Sequence, residues 1–339
     1  MNYLFFNNKL HKALLFVCCL LFFAACQQNK EQTPNSTTNG KKKIVCTTSM
    51  VRNAVQHVVG DRAEVLALMG TGIDPHLYKA TQGDLSKLSN ADVIFYNGLF
   101  LEGKMQDIFE KLALKKHVVA VSDDIDKTTL ISAQTDDSAN ADTKVEVKNT
   151  DNADITQPHA LYDPHIWFDV SLWTRVVAKI SNEMQQIDTL NANFYRQNAL
   201  AYIDTLEKLH TDTKNAISTI APEKRVLITS HDAFRYFGKA YNIEVKGLQG
   251  ISTIAEFGLQ DISQMVDFIV KRGIKAVFVE SSVSPKALEA VVQGCKQRGH
   301  DIKIGCTLFS DSMGADNTPE GNYEGMVRYN VACMVNALK

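Results

Sequence analysis

The stretch NANFYRQNALAYIDTLEKLHTDTKNAISTI, residues 191–220, decides the fold. Tyr195, Ala199, Tyr202, Leu206, Leu209, Ala216 and Ile220 recur largely at three- and four-residue steps, which gathers them into one apolar stripe of a helix. Neither glycine nor proline interrupts the run, and Pro222 ends it. At 1.5 Å per residue such a helix would extend about 45 Å. A rod of that length can join two lobes and limit hinge closure between them.

One rhythm repeats on both sides of the rod. Before it, KIVCTTS (43–49), AEVLALM (63–69), ADVIFYN (91–97) and HVVAVSD (117–123) read as strands, with helical patterns around 50–59, 80–89 and 104–114. After Pro222 come RVLITS (225–230), IEVKGLQ (243–249), AVFVESS (276–282) and IKIGCTLFS (302–310), with helices near 232–241, 257–272, 284–298 and 322–338. Continuous apolar strands alternating with helices indicate parallel sheets covered on both faces. The expected fold class is α/β: two lobes, each a four-stranded parallel sheet with flanking helices, bridged by one long rigid helix. The first lobe is expected at 43–190, the linker helix at 191–220 and the second lobe at 221–339. Roughly 300 ordered residues suit two domains of this kind better than one.

The first 42 residues follow a different logic. Lys9 and Lys12 precede an apolar run from Ala13 to Ala25, the pattern of a secretory signal and too short for a comfortable membrane span. It closes on Phe23-Ala24-Ala25-Cys26, which resembles a bacterial lipoprotein signal with Cys26 as the lipidated residue; Phe23 stands where leucine is usual. Residues 1–25 are thus expected to be a signal peptide, and the polar run 26–42 a lipidated tether. Without residues 1–25 the net charge is about −4, and no basic patch suggests nucleic acid. The remaining cysteines, Cys26, Cys46, Cys295, Cys306 and Cys333, form no CxxC pair, which argues against a thiolate zinc site. Export would permit a Cys295–Cys306 disulfide, which the sequence leaves undecided. Residues 126–157 are polar, rich in aspartate and short of core residues, and read as a solvated insertion or a weak acidic trap for cations. His159 follows it as a candidate accessory ligand.

The chemistry gathers around a repeated tripeptide. Asp74-Pro75-His76 and Asp163-Pro164-His165 lie 89 residues apart, each setting a histidine just after a proline that favours a rigid turn. Either copy alone is an ordinary surface turn; the pair suggests two imidazoles meant to converge, and imidazole is the commonest transition-metal ligand. In the second lobe Ser230-His231-Asp232 ends one strand and Ser310-Asp311-Ser312 another. Ligands of open parallel sheets gather outside the carboxyl ends of strands. His231 alone reads equally as a strand-end histidine, and Asp311 alone as a helix cap. If the sheets face each other, His76 and His165 would meet His231 and Asp311. That set suits Zn²⁺, is acceptable to Mn²⁺, Co²⁺ or Ni²⁺, and is poor for Ca²⁺. Asp74, Asp163, Asp232 and Glu280 are the nearest carboxylates able to take the other ring N–H of a ligating histidine. His57, His117, His210 and His300 read as surface residues.

At these residues a resemblance becomes specific. GIDPHLY (72–78), YNGLFLE (96–102), DPHIWFDV (163–170), SHDAFRYFGKAY (230–241), GLQGIST (247–253), VFVESSVSP (277–285) and LFSDSMG (308–314) resemble the zinc/manganese solute-binding proteins of ABC metal-uptake transporters. The matches run in order over most of the chain. The resemblance implies two α/β lobes bridged by a helix, the ligands His76, His165, His231 and Asp311, and Zn²⁺ or Mn²⁺ as cargo. It further implies a transporter permease and its ATPase as partners, a periplasmic location with a lipid anchor at Cys26, and action as a monomer. Histidine at 231 leans towards zinc, whereas GLQGISTIAEFG is closer to the manganese and dual-specificity branch. The insertion carries aspartate where many zinc receptors carry histidine. Two other functions compete, a zinc-dependent hydrolase of the cell envelope and a metal-binding adhesin. Catalytic zinc keeps an open position beside a general base; here four candidate ligands could close the shell and no HExxH motif occurs. No adhesive module or repeat supports the adhesin, and no catalysis is expected.

Overall fold

Strand β1 (Lys42–Cys46) carries Ile44, Val45 and Cys46 buried on both faces, as a strand flanked by two parallel neighbours requires. The computed structural model describes residues 40–133, 162–254 and 257–339. Strands β2 (Ala63–Ala67), β3 (Val93–Tyr96) and β4 (His117–Ala120) complete a parallel sheet in the order β2-β1-β3-β4. Helices α1 (Ser49–Val59), α2 (Gln82–Asn90) and α3 (Gln106–Ala113) make the crossovers. Thr81 and Asp84 form a reciprocal capping box that starts α2.

Helix α4 (Val170–Ile187), which the strand–helix reading of the sequence passes over, is started by Asp169, whose side chain accepts the N–H of Ser171. Its buried residues Val170, Trp173, Val176, Val177, Ile180 and Met184 have helical spacing, so the signal is present in the sequence. The connecting rod, α5, spans Ala192–Ser218, 27 residues, or about 40 Å. Tyr195, Ala199, Tyr202, Leu206 and Leu209 are buried as expected, but Thr213 and Ile217 complete the stripe in place of Ala216 and Ile220. From Leu209 two successive four-residue steps reach Thr213 and Ile217, where continued alternation of four and three would reach Ala216 and Ile220. Ile220 is buried beyond the helix end, because the chain leaves helical geometry two residues earlier.

The second sheet is less regular than the first. β5 (Val226–His231) pairs with β6 (Glu244–Gln249) in parallel, and β7 (Ala276–Val277) with β8 (Lys303–Ile304). A parallel bridge between Thr229 and Phe278 ties the two ladders together. The strands expected at 276–282 and 302–310 shrink to two residues each. Past them Gly305 packs against the Phe278 ring, where a Cβ would come within 2.7 Å, and the ladder resumes as a single Glu280–Leu308 bridge. Helices α6 (Arg235–Tyr241), α7 (Leu259–Arg272), α8 (Lys286–Gln297) and α9 (Tyr323–Leu338) complete this half. No described helix is long and apolar enough to cross a membrane.

One apolar core runs through both halves. It joins Ile44, Val93 and Phe95 of the first sheet to Trp167, Trp173, Tyr195, Phe234, Phe278, Tyr323 and Met334, and smaller clusters cover the outer faces of the two sheets. Polar bonds cross at the same place: Trp167 Nε1 donates to Ser310 O at 3.0 Å, Tyr323 Oη to Trp167 O at 2.6 Å, and Met313 N to Ser49 Oγ at 3.0 Å. A shared close-packed interior resists shear, so the rod is one restraint among several.

One expectation needs correction, and one open question is answered. Residues 126–133, placed at the start of the polar insertion, belong to the ordered body. Leu130 and Ile131 pack against the core, Asp163 N donates to Ile131 O at 2.9 Å, and Arg235 reaches Ser132 O at 2.8 Å. Two apolar residues suffice to seat that segment; 134–157 and His159 lie outside the described residues, as do Cys26 and the leader. The disulfide joins Cys306 to Cys333, whose Cα atoms are 6.0 Å apart, and not Cys295 to Cys306. Cys295 is buried on α8 inside the cluster on the second sheet's outer face, and burial pushes its thiol pKa up.

Candidate metal centre

Each half contributes two polar side chains to one buried point. His76 lies on the loop after β2 and His165 at the start of a single helical turn, Ile166–Phe168. His231 is the last residue of β5, and Asp311 follows the Glu280–Leu308 bridge. One donor atom from each of the four falls within 4.8 Å of all the others. Their exposures are 3, 0, 0 and 2 %, respectively. His76 Nε2 is 3.3 Å from His165 Nε2; the two oxygens of Asp311 stand 3.4 Å from His165 Nε2 and 3.4 Å from His231 Nε2. Glycine at 247 allows the corner to form, since a Cβ there would collide with the backbone N of Asp232, where β6 closes on the end of β5.

Carboxylates fix two of the three rings. Asp163 Oδ1 accepts both the backbone N–H of His165, at 3.0 Å, and its ring Nδ1–H, at 2.7 Å. Glu280 receives the His231 N–H on Oε1 at 2.8 Å and stands 2.5 Å from His231 Nδ1 with Oε2. When the ring is neutral, such contacts select the tautomer that leaves Nε2 free. The other two carboxylates do not play that part. Asp74 accepts the His76 N–H on Oδ1 at 2.8 Å and the Thr253 hydroxyl on Oδ2 at 2.6 Å, so both its oxygens are taken by groups other than an imidazole. Asp232 follows the last residue of β5 and lies 3.7 Å from Arg235 Nε.

The electrostatics follow from burial against charge. Burial pushes the His76 imidazole down to about 3. Burial acts the same way on His165, but Asp163 and Asp311 overcome it and lift that ring to about 9. His231 is raised well above the ordinary histidine value, burial again being outweighed by Glu280 and Asp311. Burial works to raise Asp311, yet His231 and His165 hold it well below the usual carboxylate range. Asp232 is pushed up to about 6, by burial first and then by the charge of Asp163. Two protonated rings around an ionised carboxylate, beside a third ring kept neutral, form a site that a dication can enter by displacing protons.

Sequence reasoning missed several supports of this centre. Asn97, inside the YNGLFLE run, donates its amide to Pro164 O at 3.0 Å and so props the turn that carries His165. Its loop has Gly98, Leu99 and Phe100 all at positive φ, pinned by the buried Glu102, which accepts Thr47 Oγ1 at 2.6 Å and Asn97 N at 2.8 Å. Non-glycine residues in that region are uncommon and mark strain. Tyr236 donates to Asp163 O at 2.9 Å. Of the remaining histidines, His57 is exposed but stacks on Tyr202, ring centroids 3.7 Å apart, and His117 is exposed. His210 and His300 are half-buried, contacting Tyr241 Oη and Ile274 O, so the surface reading is incomplete for them.

Comparison with known proteins gives a consistent set of relatives. The family described as zinc-uptake complex component A, periplasmic, matches residues 44–337. The manganese-binding lipoprotein MntA of Bacillus subtilis (strain 168) is 43 % identical over 296 residues, covering 87 % of this chain and 89 % of its own. The zinc-binding protein TroA of Treponema pallidum (strain Nichols) is 39 % identical over 295 residues, covering 87 % and 88 %. A solved structure of periplasmic zinc-binding TroA from Treponema pallidum superposes with a TM-score of 0.76, covering 88 % of this chain and 99 % of that one.

Proposed function

Because the chain belongs to the family of periplasmic zinc-uptake component A, we propose that it is an extracytoplasmic receptor that captures one divalent transition-metal ion and delivers it to an ABC importer. The observation that carries this reading is the convergence of His76, His165, His231 and Asp311 from both halves on one buried point. Three imidazoles and a carboxylate suit Zn²⁺ at four-coordination, and the two-faced approach of Asp311 offers a second oxygen to a larger ion such as Mn²⁺. We take the cargo to be Zn²⁺ or Mn²⁺. The related proteins named above are divided between the two metals, and Irving–Williams ordering favours zinc at any such site.

A four-donor shell favours holding over hydrolysis, since catalytic zinc generally keeps a position open for water. The envelope hydrolase and the adhesin find no support in the relatives, which are named for metal binding. Residues 1–25 are assigned as the leader, Cys26 as the lipid-bearing residue, 26–42 as tether, and 43–190 and 221–339 as the lobes joined by 191–220. The partners are a membrane permease and its ATPase, and the receptor acts as a monomer.

The test is elemental analysis of metal-free protein loaded by competition between Zn²⁺ and Mn²⁺. One equivalent of metal in the parent, and little in His165→Ala, is the expected result; no stoichiometric metal in the parent would end the reading. In the same assay His231→Glu should move the Zn/Mn preference towards manganese by adding a hard oxygen donor.

A further inference from the structure

The four candidate ligands are not equally accessible. Three sit within buried chain: Pro164 and Ile166 flank His165, Ser310 and Ser312 flank Asp311, and all of β5 leading to His231 is buried. His76 is different. Gly70, Thr71, Ile73, Leu77 and Lys79 are exposed, so its loop is the outermost wall of the site. Its ring also lacks the carboxylate partner that orients the other two, because Asp74 is engaged elsewhere.

That engagement crosses between the halves. Asp74 Oδ1 accepts the His76 N–H while Oδ2 accepts the hydroxyl of Thr253, on the loop after β6. A second bond runs parallel to it: Gly72 N donates to Ser312 Oγ at 2.8 Å, one residue from Asp311. Gly72 has φ +74°, a conformation that L side chains rarely adopt, and its Cα side lies against Ser281 O. Two hydroxyls of the second half thus hold the His76 loop against a site whose other three ligand-bearing segments are buried.

We infer that Thr253 and Ser312 are positioning residues for release: through Asp74 and Gly72 they clasp the His76 loop, and its opening sets the rate at which the metal leaves. This deepens the receptor reading and rests on it. Entry and exit use the same loop, but a metal that bonds His76 must wait for the clasp to break before it can go. Loss of the Thr253 hydroxyl should therefore act on dissociation more than on the fold.

The test measures Zn²⁺ dissociation from the full chain into excess chromogenic chelator by stopped flow, for the parent, Thr253→Val, Thr253→Ser and Ser312→Ala, with the melting temperature of each metal-free protein alongside. Thr253→Val is nearly isosteric and should speed dissociation about tenfold, the scale of one hydrogen bond to a carboxylate, with the metal-free melting temperature lowered by no more than the loss of one such bond. Thr253→Ser should restore the parental rate, and Ser312→Ala should accelerate release to a smaller extent, its acceptor being neutral. A Thr253→Val rate equal to that of a parent carrying one equivalent of zinc would overturn the clasp alone. A fast rate that Thr253→Ser fails to restore, or one accompanied by a fall in metal-free stability well beyond one hydrogen bond, would also overturn it, as a structural effect. A parent that binds no zinc would overturn the clasp and the receptor reading together.

Discussion

The two Asp-Pro-His turns share a sequence and a backbone bond but not a task. In each, the aspartate accepts the N–H of the histidine two residues on, at 2.8 Å in the first copy and 3.0 Å in the second, an Asx-type turn that rigidifies the loop. From there they diverge. Asp163 spends the same oxygen on the imidazole of His165 and fixes it from within, in a fully buried setting. Asp74 gives its second oxygen to Thr253 of the other half. One copy holds a fixed candidate ligand, the other a candidate ligand on a fastened loop. A motif therefore predicts a local turn; what its carboxylate does next depends on which groups the fold brings within reach.

Removal of the two imidazoles should break this comparison most severely. His165→Ala takes away a ring at the centre of the charge network and leaves Asp163 buried without its partner. It is expected to lower zinc affinity by more than the 10–100-fold typical of an outer partner, measured by chelator competition. His76→Ala should weaken affinity less and leave a detectable three-donor site, with faster exchange. Equal losses would remove the distinction between fixed and fastened ligands.

The carboxylates come next. Asp163→Asn should cost about 10–100-fold in affinity, because it disturbs the tautomer and aim of His165. Asp74→Asn keeps an acceptor for the His76 N–H and should cost less than Asp163→Asn does. Reversed magnitudes would exchange the roles assigned to the two turns.

The pH response sharpens the same contrast. Neutral histidines alone would make affinity fall below about pH 6.5. The proton that Asp163 and Asp311 hold on His165, up to about pH 9, extends the dependence upward. Zinc affinity should keep rising from pH 6.5 to pH 9, by about tenfold per unit for each proton displaced. Metal-free stability should move the other way. A histidine whose folded pKa is raised contributes stability that is full below its unfolded value of about 6.5 and is lost as pH passes the folded value. Calorimetric titration should show proton release at pH 7, and thermal melts of metal-free protein should fall between pH 6.5 and 9. A flat affinity profile over that range would contradict the charge assignment.

A smaller effect concerns the floor beneath both turns. Trp167→Phe removes the indole N–H bonded to Ser310 O across the two halves and should cost about 1 kcal/mol of stability, read by denaturant unfolding. No change would mean that this bond adds nothing to the shared core.

Much of the fold and most of the candidate metal centre are legible in the amino-acid sequence. Period and continuity mark the parallel strands, the rod and its terminus, because both depend on local spacing. Strand ends locate His231 and Asp311, and the repeated tripeptide locates His76 and His165. What stays hidden depends on long-range partners. The choice of Asp163 and Glu280 over Asp74 is set by groups that the fold brings within reach, among them Thr253, 179 residues from Asp74. Cys333 wins over Cys295 because α9 returns to the Cys306 segment while α8 buries Cys295 on the far side of its sheet. Helix α4 escapes the strand–helix reading although its spacing is regular, and the shortening of β7 and β8 reflects Gly305 against Phe278, a packing detail without sequence periodicity.

The most direct measurement is anomalous diffraction at the zinc edge from crystals of the zinc-loaded protein. One peak is expected, about 2.0–2.2 Å from Nε2 of His76, His165 and His231 and from a carboxylate oxygen of Asp311. A peak that omits any of those four, or strong density elsewhere with none between the two halves, would contradict the four-ligand centre.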